Sequence, residues 1–294
     1  MIRSLAALII VFLCNFSADA GGIIFAVAET DTPVLNTPDF KSVFGGKDGK
    51  TLGKDRCGQL RSLEFVAMPG TIFKLEEELQ AGGRKLYRVT TPDYPYPSKS
   101  GYFIDSRFVR IQSGKPAERK AILPSREAII AALKKMNGSR YIWGGNNSHG
   151  IPEMLQQSPP NGTSSLNPSE IELWTLKGVD CSGLLYEATG GYTPRNTSAL
   201  ANYGKSVKIA GKSLKSIAEA LEPLDLIVWP GHVLIVIDSG NLIESRLVCK
   251  EPEKGVRIRP TAEALTDIMK RRAPADNVGN SGKEFVVRRW YGVQ

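Results

Sequence analysis

The chain has 294 residues, 41% of them hydrophobic, with 38 Lys plus Arg against 30 Asp plus Glu for a formal charge of +8. That length is long for one compact core and comfortable for two domains. The charge favours polyanionic surroundings in general, but no basic stretch is interleaved with aromatics as a nucleic-acid groove would be. No C-x-x-C or His-rich spacing points to a metal site, and only two histidines are present.

Residues 1–20 read as a signal peptide. Arg3 gives the positive start, Leu5 to Leu13 an apolar stretch too short for a membrane span, and Ala18-Asp19-Ala20 a cleavage site. Two alternatives stay open: an uncleaved anchor, and a lipid on Cys14, which Leu13 disfavours because a small residue is expected there. Cleavage would remove Arg3 and Asp19 together and leave the charge at +8. No later stretch is apolar enough to cross a bilayer, so the expectation is an exported protein, periplasmic or cell-wall associated. Cys57, Cys181 and Cys249 would remain. An odd count implies at least one free thiol and leaves room for a Cys57–Cys249 bridge without establishing it.

Residues 21–112 alternate short apolar or β-branched runs with Gly, Pro and Asp punctuation, for example Thr71 to Leu75, Lys85 to Val89 and Gly101 to Ile104. They predict a small β-barrel domain, and residues 113–124 a linker. The part from 125 to 294 opens with a helix, since Ile129, Ile130, Leu133 and Met136 follow Pro124-Ser125 at helical spacing. Asn146 to about Pro168 is rich in Asn, Ser, Pro and Gly and reads as a loop. A helix from Cys181, ended by Gly190-Gly191, and another over Leu214 to Leu221 precede strand-like runs at Leu226 to Trp229, His232 to Ile237 and Leu242 to Val248. A helix around Ala262 to Met269 and a strand at Phe285 to Val287 close an α+β domain.

The chemistry centres on Gly178-Val179-Asp180-Cys181-Ser182-Gly183. A thiol at a helix N-terminus meets unsatisfied N–H groups and a partial positive charge, which together with an imidazolium would lower its pKa. Asp180 fits an N-cap, and Gly178 and Gly183 would let a substrate backbone approach. His232, at the start of a strand, is the candidate base; His149 sits in the polar loop as a solvated imidazole. Glu244 is the candidate to orient the ring, with Asp238 and Asn241 as weaker substitutes. Side chains alternate along strands, so His232 and Glu244 share a face only if the connecting loop has an odd number of residues. A three-residue Ser239-Gly240-Asn241 loop meets that condition.

Tyr141-Ile142-Trp143-Gly144-Gly145, Asp180-Cys181-Ser182-Gly183-Leu184, Pro194-Arg195 with Thr197-Ser198, Leu224-Asp225-Leu226 and Gly231-His232-Val233 together, and in this order, closely resemble the NlpC family of cell-wall hydrolases. The resemblance implies a papain-like α+β fold and cleavage of peptidoglycan stem peptides, with Cys181 as nucleophile, His232 as base and no cofactor. Its third polar position falls on Glu244, where His, Asn or Gln is more usual. The N-terminal barrel resembles a bacterial SH3-type domain. Members so arranged often cut between γ-D-glutamate and the diamino acid, close to a free L-alanine amine. That implies amine recognition by Tyr141, Asp180 and Ser182, with Tyr94 or Tyr96 completing the pocket. The chain departs from the family in the roughly thirty-four residues between Gly145 and Asp180, an insertion around 146–176. The expected partners are stem peptides or muropeptides, and the oligomeric state is open. An N-acetylmuramoyl-L-alanine amidase and a non-catalytic wall-binding module are the rival readings.

Overall fold

The computed structural model describes residues 12–13, 23–161, 166–249, 251, 255–279 and 282–292. The leader expected over 1–20 lies outside these, apart from Phe12–Leu13, which pair with Leu79 and Gln80. The chain divides into two compact units, one of residues 1–53 and 67–119, the other of 54–66 and 120–294. It is a mixed helix and sheet protein, and among the described residues no helix is long and apolar enough to cross a membrane.

The first unit contains strands β1 (Ile24–Ala28), β2 (Thr32–Leu35), β3 (Ile72–Ala81), β4 (Arg84–Thr90), β5 (Tyr102–Asp105) and β6 (Val109–Ser113). They run antiparallel in the order β2–β5–β4–β3–β1–β6, with a bulge between Leu75 and Glu77. Alternation buries Ala26, Leu35, Phe73, Leu86 and Ile104. The barrel expected here is not formed. The path of paired strands is open at its ends, and no closed barrel is seen among the described residues.

In the second unit α1 (Arg126–Lys135) starts on Ser125, whose hydroxyl accepts the Ala128 N–H. The expected loop is instead a folded excursion. Strands β7 (Asn146–Asn147) and β8 (Gly178–Val179) pair at its base, and α2 (Met154–Gln157) and α3 (Pro168–Trp174) lie between them. Asn167 and Glu170 form a capping box with Pro168 at the first helical position, and buried Trp174 donates Nε1–H to the Ser158 carbonyl. The chain continues through α4 (Cys181–Ala188), α5 (Thr197–Leu200), β9 (Lys205–Val207), α6 (Leu214–Ala220), β10 (Leu226–Trp229), β11 (His232–Val236), β12 (Asn241–Ser245), β13 (Val256–Pro260), α7 (Thr261–Met269) and β14 (Glu284–Arg289).

The antiparallel order is β9–β14–β10–β11–β12–β13, with helices on both faces. Val233, Ile235 and Ile243 point to α1 and α4, packing with Leu133, Leu184 and Leu185. Leu234 and Leu242 point the other way, to Ile217 of α6 and Leu265 of α7. Each such fully buried aliphatic side chain contributes about 1.5–3 kcal/mol of transfer free energy, which fixes α4 against the sheet and hence the position of its first residue. Residues 54–66 are tied to this unit as well. Asn146 accepts the Val66 N–H and donates to the Val66 carbonyl, Gln59 accepts the Trp143 N–H, and Cys57 is bonded to Cys249.

Candidate active site

Cys181 is the first residue of α4, and Asp180 is its N-cap, accepting the Gly183 N–H at 2.7 Å. Gly183 is required by its own chain: a Cβ there would fall 2.0 Å from the Gly145 carbonyl oxygen, and one on Gly178 2.5 Å from that of Arg140. Both positions meet backbone of this protein, so the expectation that they clear room for substrate is replaced by close packing of the 140–145 segment against the start of α4.

The residue that organises this side is Arg195. It is 3% exposed and grips Asp180 with both arms, Nη1 to Oδ1 at 2.9 Å and Nη2 to Oδ2 at 2.8 Å. It also donates to the Ser182 hydroxyl, the Asn146 side-chain oxygen and the Gly145 carbonyl. Asp180 and Ser182 therefore meet Arg195 before they could meet any amine. Tyr141 is buried nearby; burial raises its phenol pKa strongly, and the charges of Asp180 and Cys181 add to the rise. Tyr94 and Tyr96 belong to the first unit, where their rings stack edge to face at 4.7 Å and Tyr102 donates its hydroxyl to the Tyr96 carbonyl.

The thiol is 8% exposed and lies against the backbone on either side of His232. Its sulfur is 3.9 Å from the Gly231 carbonyl oxygen, and the Val233 N–H favours its thiolate form. Burial nevertheless pushes the thiol up to about 12, with Asp180 adding to the shift, against the pull of Arg195 and of the Ser182 and Val233 N–H groups. The lowered pKa expected for a helix N-terminus is therefore not met in the resting site. Desolvation and an adjacent carboxylate outweigh the partial charge of one helix end.

His232 Nε2 is 2.7 Å from Glu244 Oε2. The sharing of a face rests on a three-residue turn, as parity demands, but shifted by one. Ile235 pairs with Ile243 and Val236 with Leu242, the Ile237 N–H bonds Asn241, and Asp238-Ser239-Gly240 turn the corner. Glu244 is 2% exposed and its other oxygen accepts from Arg257 at 2.9 Å and Arg259 at 3.3 Å. Burial would raise its pKa, yet the hydrogen bonds and charges of His232 and Arg257 hold it down to about 2. An ionised Glu244 keeps the proton on Nε2, which leaves Nδ1 as the basic nitrogen of a neutral ring. The ring lies 5.3 Å from that of Trp229, and no hydrogen bond joins it to Cys181 among the described residues. His149 is exposed in the excursion.

A cavity of about 550 Å³ opens on this face of the sheet, with Tyr141, Trp143, Trp229, His232 and Glu244 in its wall. Cys181 is not in that wall; its sulfur approaches from the α4 side of β11. Among the described residues no cluster of His, Cys, Asp or Glu could hold a metal.

No family model matches the sequence and no curated protein matches it. Solved structures similar to the chain are NlpC/P60 family proteins. One, from Bacillus cereus, is 19% identical over 92% of this chain with a TM-score of 0.34, and the chain spans 64% of that protein's length. Another is RipD from Mycobacterium tuberculosis, described as a non-catalytic NlpC/p60 domain protein with an adaptation to peptidoglycan binding. It is 19% identical, covering 56% of this chain and 95% of that one, with a TM-score of 0.32. NlpC2 from Trichomonas vaginalis is 13% identical over 91% of this chain and 73% of its own, with a TM-score of 0.32.

Proposed function

We propose that the chain is an exported cysteine peptidase of peptidoglycan stem peptides, acting at the γ-D-glutamyl–diamino acid bond. The observation that carries the reading is the placement of the Cys181 sulfur against Gly231 and Val233, the two neighbours of an imidazole fixed by Glu244. His232 Nδ1 takes the thiol proton as the sulfur attacks the carbonyl carbon. The Cys181 N–H, first in its helix and without an intrahelical partner, donates to the oxygen as it gains charge. The C–N bond then breaks and the imidazolium returns its proton to the leaving amine. Water, deprotonated by the same ring, hydrolyses the thioester and restores the thiol. A thiol that rests protonated makes proton transfer to His232 part of the attack rather than a step before it. Attack therefore needs the ring to approach the sulfur, because Glu244 holds it on the Leu234 face of β11 whereas Cys181 packs on the Val233 face. Tyr141, Asp180 and Ser182 stand on the acyl side in this reading. The Cys57–Cys249 bridge supports passage through an oxidising compartment.

A second reading, binding of wall peptides without turnover, is favoured by the high thiol pKa and the missing thiol–imidazole bond. Digestion of defined muropeptides with mass spectrometry of the products decides. Wild type should release diamino-acid fragments and Cys181→Ala none, with its fold intact. Release of whole stems from muramic acid would make the chain an amidase, and sacculus binding unchanged by Cys181→Ala with no product from either protein would establish the second reading.

A further inference from the structure

Trp229 pairs with His232, so only Pro230 and Gly231 join β10 to β11. A Pro at the first turn position and a Gly at the second, here with a φ of +104°, fit a type II turn. Such a turn does not follow the twist of its flanking strands and tends to splay them. This one is held from outside the hairpin. The Thr197 hydroxyl accepts the Gly231 N–H at 2.9 Å, on a residue only 8% exposed. The carbonyl of the same glycine lies 3.9 Å from the Cys181 sulfur. Two residues before Thr197, the Arg195 guanidinium grips Asp180, the cap of the helix that Cys181 begins. Between them Asn196 accepts the Ser198 N–H at 2.8 Å and starts α5. One short segment thus fastens both the turn that leads into His232 and the helix start that carries the thiol.

We propose that Thr197 is a positioning residue, which acts through Gly231 to hold the turn before His232 against the Cys181 sulfur. Its effect on turnover rests on the peptidase reading; its effect on the sulfur does not. Attack needs the ring to reach the thiol, and a turn free to splay would carry Gly231, His232 and Val233 away from it together. A displacement of about 1 Å in such an arrangement lowers a rate by on the order of 100-fold. Valine keeps the branched shape of threonine and has no acceptor, so it leaves the Gly231 N–H without its partner. Serine keeps the hydroxyl.

The test compares Thr197→Val with Thr197→Ser in the full chain. On a defined L-Ala-γ-D-Glu-diamino acid peptide, Thr197→Val should lose about 10–100-fold in kcat with KM within about twofold of wild type. Thr197→Ser should keep kcat within about threefold of wild type. A merely structural role would lower the urea midpoint and leave kcat per folded molecule unaltered. An unaltered kcat in Thr197→Val, or a serine variant as slow as the valine one, overturns the proposal. The second arm needs no turnover and follows alkylation of Cys181 by iodoacetamide against pH. The Val233 N–H, one residue beyond His232, favours the thiolate. Once the turn is released that donor is no longer held to the sulfur, so the alkylation midpoint should rise in Thr197→Val and stay at the wild-type value in Thr197→Ser. Neither substitution alters the other groups that act on the sulfur, Asp180, Arg195, the Tyr141 phenol and the Ser182 N–H. A midpoint that stays or falls in Thr197→Val overturns the proposal. If the wild type cleaves nothing and the midpoint still moves as described, Thr197 places the sulfur and only the peptidase reading fails.

Discussion

Asp180 and Glu244 are both buried and both paired with arginine, one beside Cys181 and the other beside His232, yet they do opposite things. Asp180 is consumed by its own chain: Arg195 takes both oxygens and the Gly183 N–H one of them. What it gives is the geometry of a helix start, and its charge makes the neighbouring thiolate harder to form. Glu244 has one oxygen for two arginines and keeps the other for the imidazole, so its charge fixes a tautomer and waits for an imidazolium. A buried carboxylate beside a buried thiol is therefore not by itself a candidate catalytic group. Its role is read from which of its oxygens the scaffold has already taken.

The largest effect that would break this contrast is at Glu244. Glu244→Gln keeps the shape and removes the charge that stabilises a protonated ring. We expect kcat to fall by about 10²–10⁴, with the circular dichroism spectrum preserved. A fall of less than about threefold would make Glu244 an anchor for Arg257 and Arg259 alone.

Next is Arg195. Arg195→Met leaves Asp180 as a buried charge without its partner, and the expected loss of stability in urea is about 3–5 kcal/mol. A variant unfolding at the wild-type midpoint would show that the clamp contributes nothing net.

A third difference is in acid. The folded pKa of Glu244, about 2, lies below its ordinary 4.5, so as pH falls the unfolded chain takes up this proton first. The stabilisation is whole above about pH 4.5 and is lost as pH falls through 2, and it amounts to on the order of 3 kcal/mol. Urea midpoints at pH 6 and pH 3 should draw together for wild type and Glu244→Gln if the carboxylate is held down as described. Over the range where activity is assayed the carboxylate stays charged, so the acid limb of a rate profile reports another group.

Much of this site could be read before folding, and what could not has specific causes. The Asp180 cap and the shared face of His232 and Glu244 follow from local rules, cap chemistry and strand parity. Parity held even though the turn is Asp238-Ser239-Gly240, because only the oddness of the count matters. The arginines around Glu244 did leave a signal that went unread. Val256-Arg257-Ile258-Arg259 alternates as a strand should, and pairing Glu244 with Arg257 puts both cations on the glutamate's face. Asn167-Pro168 with Glu170 was likewise a helix start inside a stretch whose composition suggested only loop. Arg195 left only its place in the Pro194-Arg195 block of the resemblance: nothing local distinguishes an arginine that will be 3% exposed from one that will be solvated, since its carboxylate lies fifteen residues away. The open sheet of the first unit was beyond reach for a related reason. Short alternating strands predict pairing, whereas closure depends on which two ends meet.

The smallest effect separates the two carboxylates most directly. Asp180→Asn keeps an N-cap of equal quality, so α4 should start where it does now. It removes a negative charge from beside the thiol and leaves Arg195 in place, and both changes favour thiolate. The pH midpoint for alkylation of Cys181 by iodoacetamide should therefore move down. Glu244→Gln, which acts on the ring and not on the sulfur, should leave that midpoint where it is. A midpoint that rises in Asp180→Asn would mean that Asp180 supports the thiolate through some contact other than its charge, and the two carboxylates would then share one role.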